Sequence, residues 1–384
     1  MDLTRLTQEV KAAARELGFD RVGISDASPL HAAEDAIQAR IAAGLMDGLK
    51  WFTSERAHLA THPQRLLPGA QCIVALAASY LGQLEPPARV DGEPRGKIAR
   101  YAWGSDYHDV LKELAHALVA RVEQLTGRPV SARVFVDSSP LAERAVAERA
   151  GLGWFGKNTM LLLPGGGSWA FLCEVILDVA LEPDSPVRKS CGACARCLDV
   201  CPTRALVAPG VLDTPRCISF LTIELRDSIP RALRPLMGSW IFGCDDCQEV
   251  CPVNRRALPA RIAALRAYDV ERAYPPLLPL LSLDDAAFRG AYRRTPVLRA
   301  KSWGFQRNVC VALGNSGDPA AVAPLAGVLL DRERHPIVRE HAAWALGRLR
   351  TPDARQALER VWRGRDDSDS RLAHELALAL DRAA

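Results

Sequence analysis

Eight of the eleven cysteines lie between Cys191 and Cys251, and their spacing is the tightest constraint the chain carries. Cys191, Cys194, Cys197 and Cys201-Pro202 form a CxxCxxCxxxCP run, and Cys244, Cys247 and Cys251-Pro252 form a CxxCxxxCP run, with Cys217 between them. Thiolates at i, i+3 and i+6 of a tight loop converge on one cubane, while the cysteine before proline is carried to a neighbouring cluster. A bacterial two-cluster ferredoxin would have a further cysteine where Ile241 stands, so Cys217 is the expected substitute. The crossover rule then assigns Cys191, Cys194, Cys197 and Cys251 to one [4Fe–4S] cluster. Cys201, Cys217, Cys244 and Cys247 are assigned to the other. Structural zinc competes with this reading, but two CxxC pairs would satisfy it and leave the third cysteine and the Cys-Pro endings without a purpose. Disulfides compete as well.

Compartment argues against disulfides. Met1 to Leu6 has no basic segment leading into an apolar run and no twin arginine, and no apolar stretch reaches the roughly 18 residues of a membrane span. A cytoplasmic protein is expected, in which thiols stay reduced. Cys72, Cys173 and Cys310 lie among Val, Ile, Leu and Ala and are expected to be inert core thiols. With 384 residues and 48% hydrophobic content the chain has room for two or three cored domains. The net charge is only +4, yet Arg255 to Arg307 holds eleven basic residues against four acidic ones. That stripe suits a phosphate-backbone partner, or else a solvated helical face.

Residues 1–185 alternate strand and helix signals. An amphipathic helix over 3–17 ends at Gly18, and strands are expected at Arg21–Ile24, Gln71–Tyr80, Ser131–Val136 and Trp169–Leu181. Ser28-Pro29 reads as a helix start, Leu84 to Gly96 as a loop, and Asp106 as the cap of a helix closed by Gly127. The fold class expected is α+β, with an α/β-type N-terminal cofactor domain. Asp137 would then stand at a strand's carboxyl end, where open α/β sheets bind ligands, or serve as a helix N-cap ahead of Pro140. Gly151 to Asn158 is glycine-rich and lets backbone amides approach a large ligand. It is not a dinucleotide fingerprint, because a helix rather than a strand precedes it. A packed loop is the alternative.

An inserted ferredoxin-like two-[4Fe–4S] module is expected over 186–276, and an all-α, HEAT-like repeat domain over 277–384. Ala312-Leu313-Gly314 recurs as Ala345-Leu346-Gly347, with a third fragment at Ala377-Leu378. Such a repeat domain is a binding surface.

In order and in residues, these blocks resemble the epoxyqueuosine reductases, which act on the wobble base of certain tRNAs. The resemblance is carried by Arg100 to His108, Val136 to Ala145, Gly151 to Asn158, both cysteine runs with the lone Cys217, and Trp303 to Asn308 leading into Ala312 to Asn315. It implies a monomeric oxidoreductase that converts epoxyqueuosine in tRNA to queuosine, the last step of queuosine biosynthesis. Cobalamin would be the catalytic cofactor, reduced through the two [4Fe–4S] clusters by an external electron donor, with no membrane involved. By the same resemblance Asp137 is the catalytic acid, with a carboxyl pKa raised by desolvation. Arg56, Tyr101, His108, Arg144, Lys157, Asn158, Leu161 and Asp245 would line the cofactor pocket. His108 is otherwise a core or capping histidine, Arg144 a surface arginine and Asp245 a solvated carboxylate. The DxHxxG signature that ligates cobalt elsewhere is absent, since Leu111 occupies its glycine position after Asp106-Tyr107-His108. Two other readings share these features: an electron-transfer ferredoxin fused to an interaction domain, and a corrinoid reductive dehalogenase. An RNA-binding scaffold with structural clusters is a third.

Overall fold

The computed structural model describes residues 2–82, 84, 93–138, 140–267, 269–364 and 370–383. The loop expected from Leu84 to Gly96 falls largely on 85–92, outside the described residues. The chain packs as two compact units, Met1–Gln83 with Gly104–Pro215 and Asp245–Ala267, and Leu84–Trp103 with Arg216–Cys244 and Tyr268–Ala384. Segment 186–276 contributes to both.

A four-stranded sheet organises the first unit. Its strands are β1 (Arg21–Asp26), β2 (Cys72–Ser79), β3 (Ala132–Phe135) and β4 (Ala170–Leu177), in spatial order β1-β2-β4-β3. Every neighbouring pair is antiparallel. The α/β-type expectation is therefore corrected to α+β, and the rule placing ligands at the carboxyl ends of a parallel sheet does not apply. The helices between the strands lead the chain back in the opposite direction. β2 is buried along its whole length, as its unbroken apolar run requires.

Helices cover both faces of this sheet. On one face α1 (Leu3–Glu16) packs with α4 (Tyr107–Thr126), whose Leu111, Ala115, Leu118 and Val122 are buried at helical spacing. Asp106 caps α4 and Gly127, at φ +67°, closes it, both as expected. Across the sheet, α5 (Glu143–Arg149) buries Val146 and Ala147 against Ile73, Ala75, Phe135 and Ile176. Between β1 and β2 run α2 (His31–Ala42) and α3 (Ser54–Thr61). Helix α2 starts at His31 rather than Pro29, because Ser28 is engaged by Asp26, whose Oδ1 accepts from its backbone N at 2.8 Å.

The second unit is a helical stack with a small two-stranded pairing of Lys97–Ile98 and Trp240–Phe242. Helices α6 (Ser302–Ser316), α8 (Pro336–Leu349) and α10 (Ser370–Ala383) lie against one another in succession. Helices α7 (Val322–Leu330) and α9 (Pro352–Arg363) pack against each other and against α8. The repeated Ala-Leu-Gly marks the closest approaches. A Cβ on Gly314 would come 2.9 Å from the Ala345 Cα, and one on Gly347 would come 2.8 Å from the Ala379 Cα. Overpacking of this kind costs about 1–3 kcal/mol, against the ~1 kcal/mol that alanine returns in helix propensity. Gly347→Ala is therefore expected to lower the thermal midpoint, whereas Gly327→Ala, whose Cβ would meet nothing within 4 Å, raises it. Paired melting curves check both.

The basic stripe is divided by burial. Arg307 is fully buried, and its guanidinium donates to the carbonyls of Leu221, Leu225 and Asp227. Arg299 pairs with Glu224 at 2.8 Å. Arg307 is thus unavailable to a phosphate backbone, which corrects its place in the stripe. Arg255, Arg256, Arg261, Arg266, Arg289, Arg293, Arg294 and Lys301 remain exposed, as does the paired Arg299.

Candidate functional site

Two short helices, Arg196–Val200 and Asp246–Glu249, follow the two cysteine loops and pack against each other within the first unit. Four thiols of that unit are thereby gathered. Burial pushes the Cys197 thiol up, and Cys191, Cys251 and Cys194 push it further in the same direction. Cys251 is also raised, first by burial, with Cys191 and Cys194 adding to the effect. Four thiols close enough to repel one another as thiolates form the donor set of one iron–sulfur cube, so the residues present fit a [4Fe–4S] cluster. Cys201 accepts a hydrogen bond from the Ala205 N–H at 3.2 Å, a contact of the type that tunes cluster sulfurs. Cys247 belongs to the same unit.

Cys217 and Cys244 lie in the second unit. Cys217 precedes the helix Ile218–Ile223, and Cys244 follows strand Trp240–Phe242 after one glycine. These elements pack together, and the Gly243 N–H donates to Thr222 Oγ1 at 2.9 Å. Asn308 Nδ2 spans them, donating to Thr222 O at 2.8 Å and to Ile241 O at 2.9 Å. The Arg307-Asn308 pair thus braces the segments that carry both cysteines.

Residues Trp154–Phe155 and Leu161–Leu162 form a small hairpin, with Lys157, Asn158 and Thr159 at its tip. Its glycines are needed by its own packing: a Cβ on Gly153 would meet Leu162 O at 2.2 Å, and one on Gly156 would meet Asn158 Oδ1 at 2.5 Å. The packed-loop alternative therefore accounts for them. Lys157 Nζ donates to Gly192 O at 2.8 Å, and Asn158 Nδ2 approaches Cys247 O at 3.4 Å, so both polar heads serve the cysteine loops. Leu161 is buried in the core against α5, which corrects its expected place in a pocket lining.

Asp137 ends the β3 extension with φ +49°, in the left-handed region that non-glycine residues rarely adopt. Its Oδ2 accepts from Tyr107 Oη at 2.5 Å and lies 3.5 Å from His108 Nε2. His108 Nδ1 contacts Asp106 Oδ1 at 2.7 Å, so one imidazole spans two carboxylates. Tyr107 is wedged between the His108 ring and Phe171, stacked on the latter at 4.1 Å. Burial alone would lower the His108 pKa, but its bonds to Asp106 and Asp137 outweigh that and push it up to about 9. For Asp137, burial works to raise the pKa, but His108 and Tyr107 hold the carboxyl below its usual range. The expected desolvated, raised Asp137 is corrected: in this arrangement it is an anion facing a cation.

Sequence reasoning missed two partners of this aspartate and a buried carboxyl beside one of them. Tyr107 is one. Glu143, the first residue of α5, accepts the Asp137 N–H, and burial together with the Asp137 charge pushes its carboxyl up to about 8. Glu174, in register with Ala75 and Phe135 at the centre of the sheet, is fully buried, with neither carboxylate oxygen hydrogen-bonded among the described residues. Burial, with Glu143 next, raises its pKa well above the usual range. The only charged residue of the strand Ala170–Leu177 was the signal for it.

Arg144 donates to Thr159 O at 2.6 Å, and Arg56 stacks on Trp51 and reaches Ser138 O at 3.5 Å. Asp245 is buried, so the solvated alternative for it falls away. Tyr101 belongs to the second unit, its ring 5.9 Å from Phe242. Asp137, Glu143 and Arg144 keep solvent-accessible side chains and together offer two carboxyls and a guanidinium. A cofactor rich in amide groups fits such a set of mixed donors and acceptors.

Among known families, residues 190–254 match a 4Fe-4S double cluster binding domain, 61–138 match the epoxyqueuosine reductase QueG family (DUF1730), and 293–380 match HEAT repeats. The epoxyqueuosine reductase of Salmonella typhimurium is 38% identical over 349 residues, covering 90% of this chain and 89% of that protein. A crystal structure of epoxyqueuosine reductase with an epoxyqueuosine-modified tRNA-Tyr stem loop superposes with a TM-score of 0.92 at 32% identity, over 99% of both chains. A Bacillus subtilis epoxyqueuosine reductase, whose catalytic loop is swung out of the active site, gives 0.89 at 32% identity over 98% of this chain and 99% of that one.

Proposed function

The chain belongs to the epoxyqueuosine reductase family, and from that premise we propose that it removes the epoxide oxygen of epoxyqueuosine in tRNA, giving queuosine. The observation that carries this reading to the chain's own residues is the Asp137–His108 ion pair, held in the unit that also gathers the Cys191, Cys194, Cys197 and Cys251 thiols. Deoxygenation of an epoxide to an alkene consumes two electrons and two protons and releases water, so the site must deliver both.

Two [4Fe–4S] clusters would supply the electrons. Cys191, Cys194, Cys197 and Cys251 would hold one, and Cys201, Cys217, Cys244 and Cys247 would hold the other. Cobalamin, when bound, supplies the low-valent cobalt that drives C–O cleavage. Asp137, Glu143 and Arg144, whose side chains reach solvent, are the residues that would hold it. One proton comes from the polypeptide and the second from solvent. His108 is charged at neutral pH, and its Nε2–H faces Asp137 Oδ2, so it can pass its proton to the carboxylate, which then delivers it to the leaving oxygen. Tyr107 Oη fixes the carboxylate's orientation during this transfer, and Glu143 holds the backbone N–H of Asp137. Arg255, Arg256, Arg261, Arg293, Arg294 and Lys301 are exposed cations offered to the tRNA backbone. Among the described residues no helix is long and apolar enough to cross a membrane.

The test is incubation of the cluster-loaded protein with cobalamin, a low-potential reductant and tRNA bearing epoxyqueuosine, followed by mass analysis of the nucleosides. Loss of one oxygen from the modified base is expected. Retention of the epoxide while iron and corrin are both demonstrably bound would overturn the reading.

A further inference from the structure

A second group of ligand-type side chains lies on α2 and α3, outside the residues used above. His31 and Glu34 are three apart on α2 and therefore share a face. His58 lies on α3, and His62 follows four residues later as its C-cap. Leu30 N–H donates to Thr61 O at 2.8 Å and ties the start of one helix to the end of the other. One ligand atom each from His31, Glu34 and His62 lies within 4.8 Å of the other two. His58 Nδ1 is 2.7 Å from Glu34 Oε1, and its ring lies 3.9 Å from that of His62.

We propose that His31, Glu34 and His62 bind a divalent transition-metal ion of zinc-like softness, with His58 orienting the glutamate. Two imidazoles and one carboxylate form a donor set that such ions prefer, and one quite unlike the all-thiolate loops, so iron–sulfur assembly does not compete for it. His62 Nδ1 is 2.8 Å from His58 O and 3.9 Å from Glu34 Oε2, which fixes the ring beside the glutamate. Donors around zinc lie about 3.4 Å apart for bond lengths near 2.1 Å, so the group must contract by ~1 Å. The exposed His31 side chain is free to make that movement.

Occupancy would clamp α2 to α3. Helix α3 also carries Arg56, which reaches Ser138 O, and its Ala60 O accepts the Ala142 N–H at 2.9 Å. The ion would therefore stiffen the support of the loop that bears Asp137.

Equilibrium dialysis of the cluster-loaded full chain against Zn2+, with zinc and iron measured together, tests the proposal. One zinc per chain is expected with iron unchanged. His31→Ala and Glu34→Gln should each weaken zinc binding by at least about 100-fold, and His58→Gln by about 10–100-fold. His116→Ala, which alters an exposed histidine on α4, should leave it unchanged. Melting curves without zinc verify that the variants fold. The proposal is overturned if no stoichiometric zinc is taken up, if uptake displaces iron, or if His31→Ala and Glu34→Gln bind zinc as the parent does.

Discussion

Cys251→Ser is expected to abolish turnover and to halve the iron content, from about eight atoms per chain to about four. The serine replaces the one thiol of the second cysteine run that lies with Cys191, Cys194 and Cys197, and without it that donor set is incomplete. A cluster with three ligands is labile, and electron delivery that passes through it stops. The crossover assignment makes a sharper demand. Cys191→Ser combined with Cys251→Ser should lose no more iron than either change alone, because both strike the same cluster. Cys191→Ser with Cys201→Ser should instead approach zero iron, because each strikes a different one. Cys310→Ala, at a thiol that burial pushes up to about 12, should retain all the iron. Iron analysis and the broad visible absorbance of the reconstituted proteins distinguish these outcomes. If the double change at Cys191 and Cys251 removed nearly all the iron, the assignment of ligands to clusters would fail.

What could be read without the structure was whatever is local in sequence. Cysteine spacing within a loop is fixed by the few residues between the ligands, and Asp106 and Gly127 mark their helix ends by side-chain chemistry alone. Strand direction is not local. A helix between two strands is compatible with either sense, so the run of alternating elements left the domain between α/β and α+β, and only the pairing shows it antiparallel. Pairs formed across the fold were equally hidden. Tyr107 meets Asp137 thirty residues away, and nothing in Arg100 to His108 distinguishes that tyrosine from Tyr101, which lies in the other unit. Arg307 shows the same limit for charge. Counted with its neighbours it adds to a basic stripe, yet its five-donor head is spent on backbone carbonyls and on Asn308. Its worth is in holding the segments around Cys217 and Cys244, a role that charge counting cannot reveal.

Asp137→Asn should lower kcat by about 10²–10⁴-fold while iron content and the corrin spectrum stay as in the parent, the usual effect of removing a positioned acid–base group. Asparagine keeps the contact with Tyr107 but can neither take a proton from His108 nor give one to an oxygen. The pH profile then separates the relay from a structural role. His108, raised to about 9, is charged through neutrality and loses its proton as pH rises through about 9. Asp137, held low, is already ionised there, so the alkaline limb of kcat should report the imidazolium and not the aspartate. Glu143 loses its proton earlier, near 8, and its charge would then face the Asp137 carboxylate. Glu143→Gln should therefore remove the part of the limb near 8 and leave the fall near 9. His108→Gln should remove the fall near 9 and lower the plateau, since glutamine can hydrogen-bond to Asp137 but cannot reload it. The same sign holds for folding: stability contributed by the raised His108 is fully present below about 6.5 and is lost as pH rises through about 9. If His108→Gln left both plateau and limb unchanged, the proton would have to reach Asp137 from solvent, and His108 would be a cap on α4 alone.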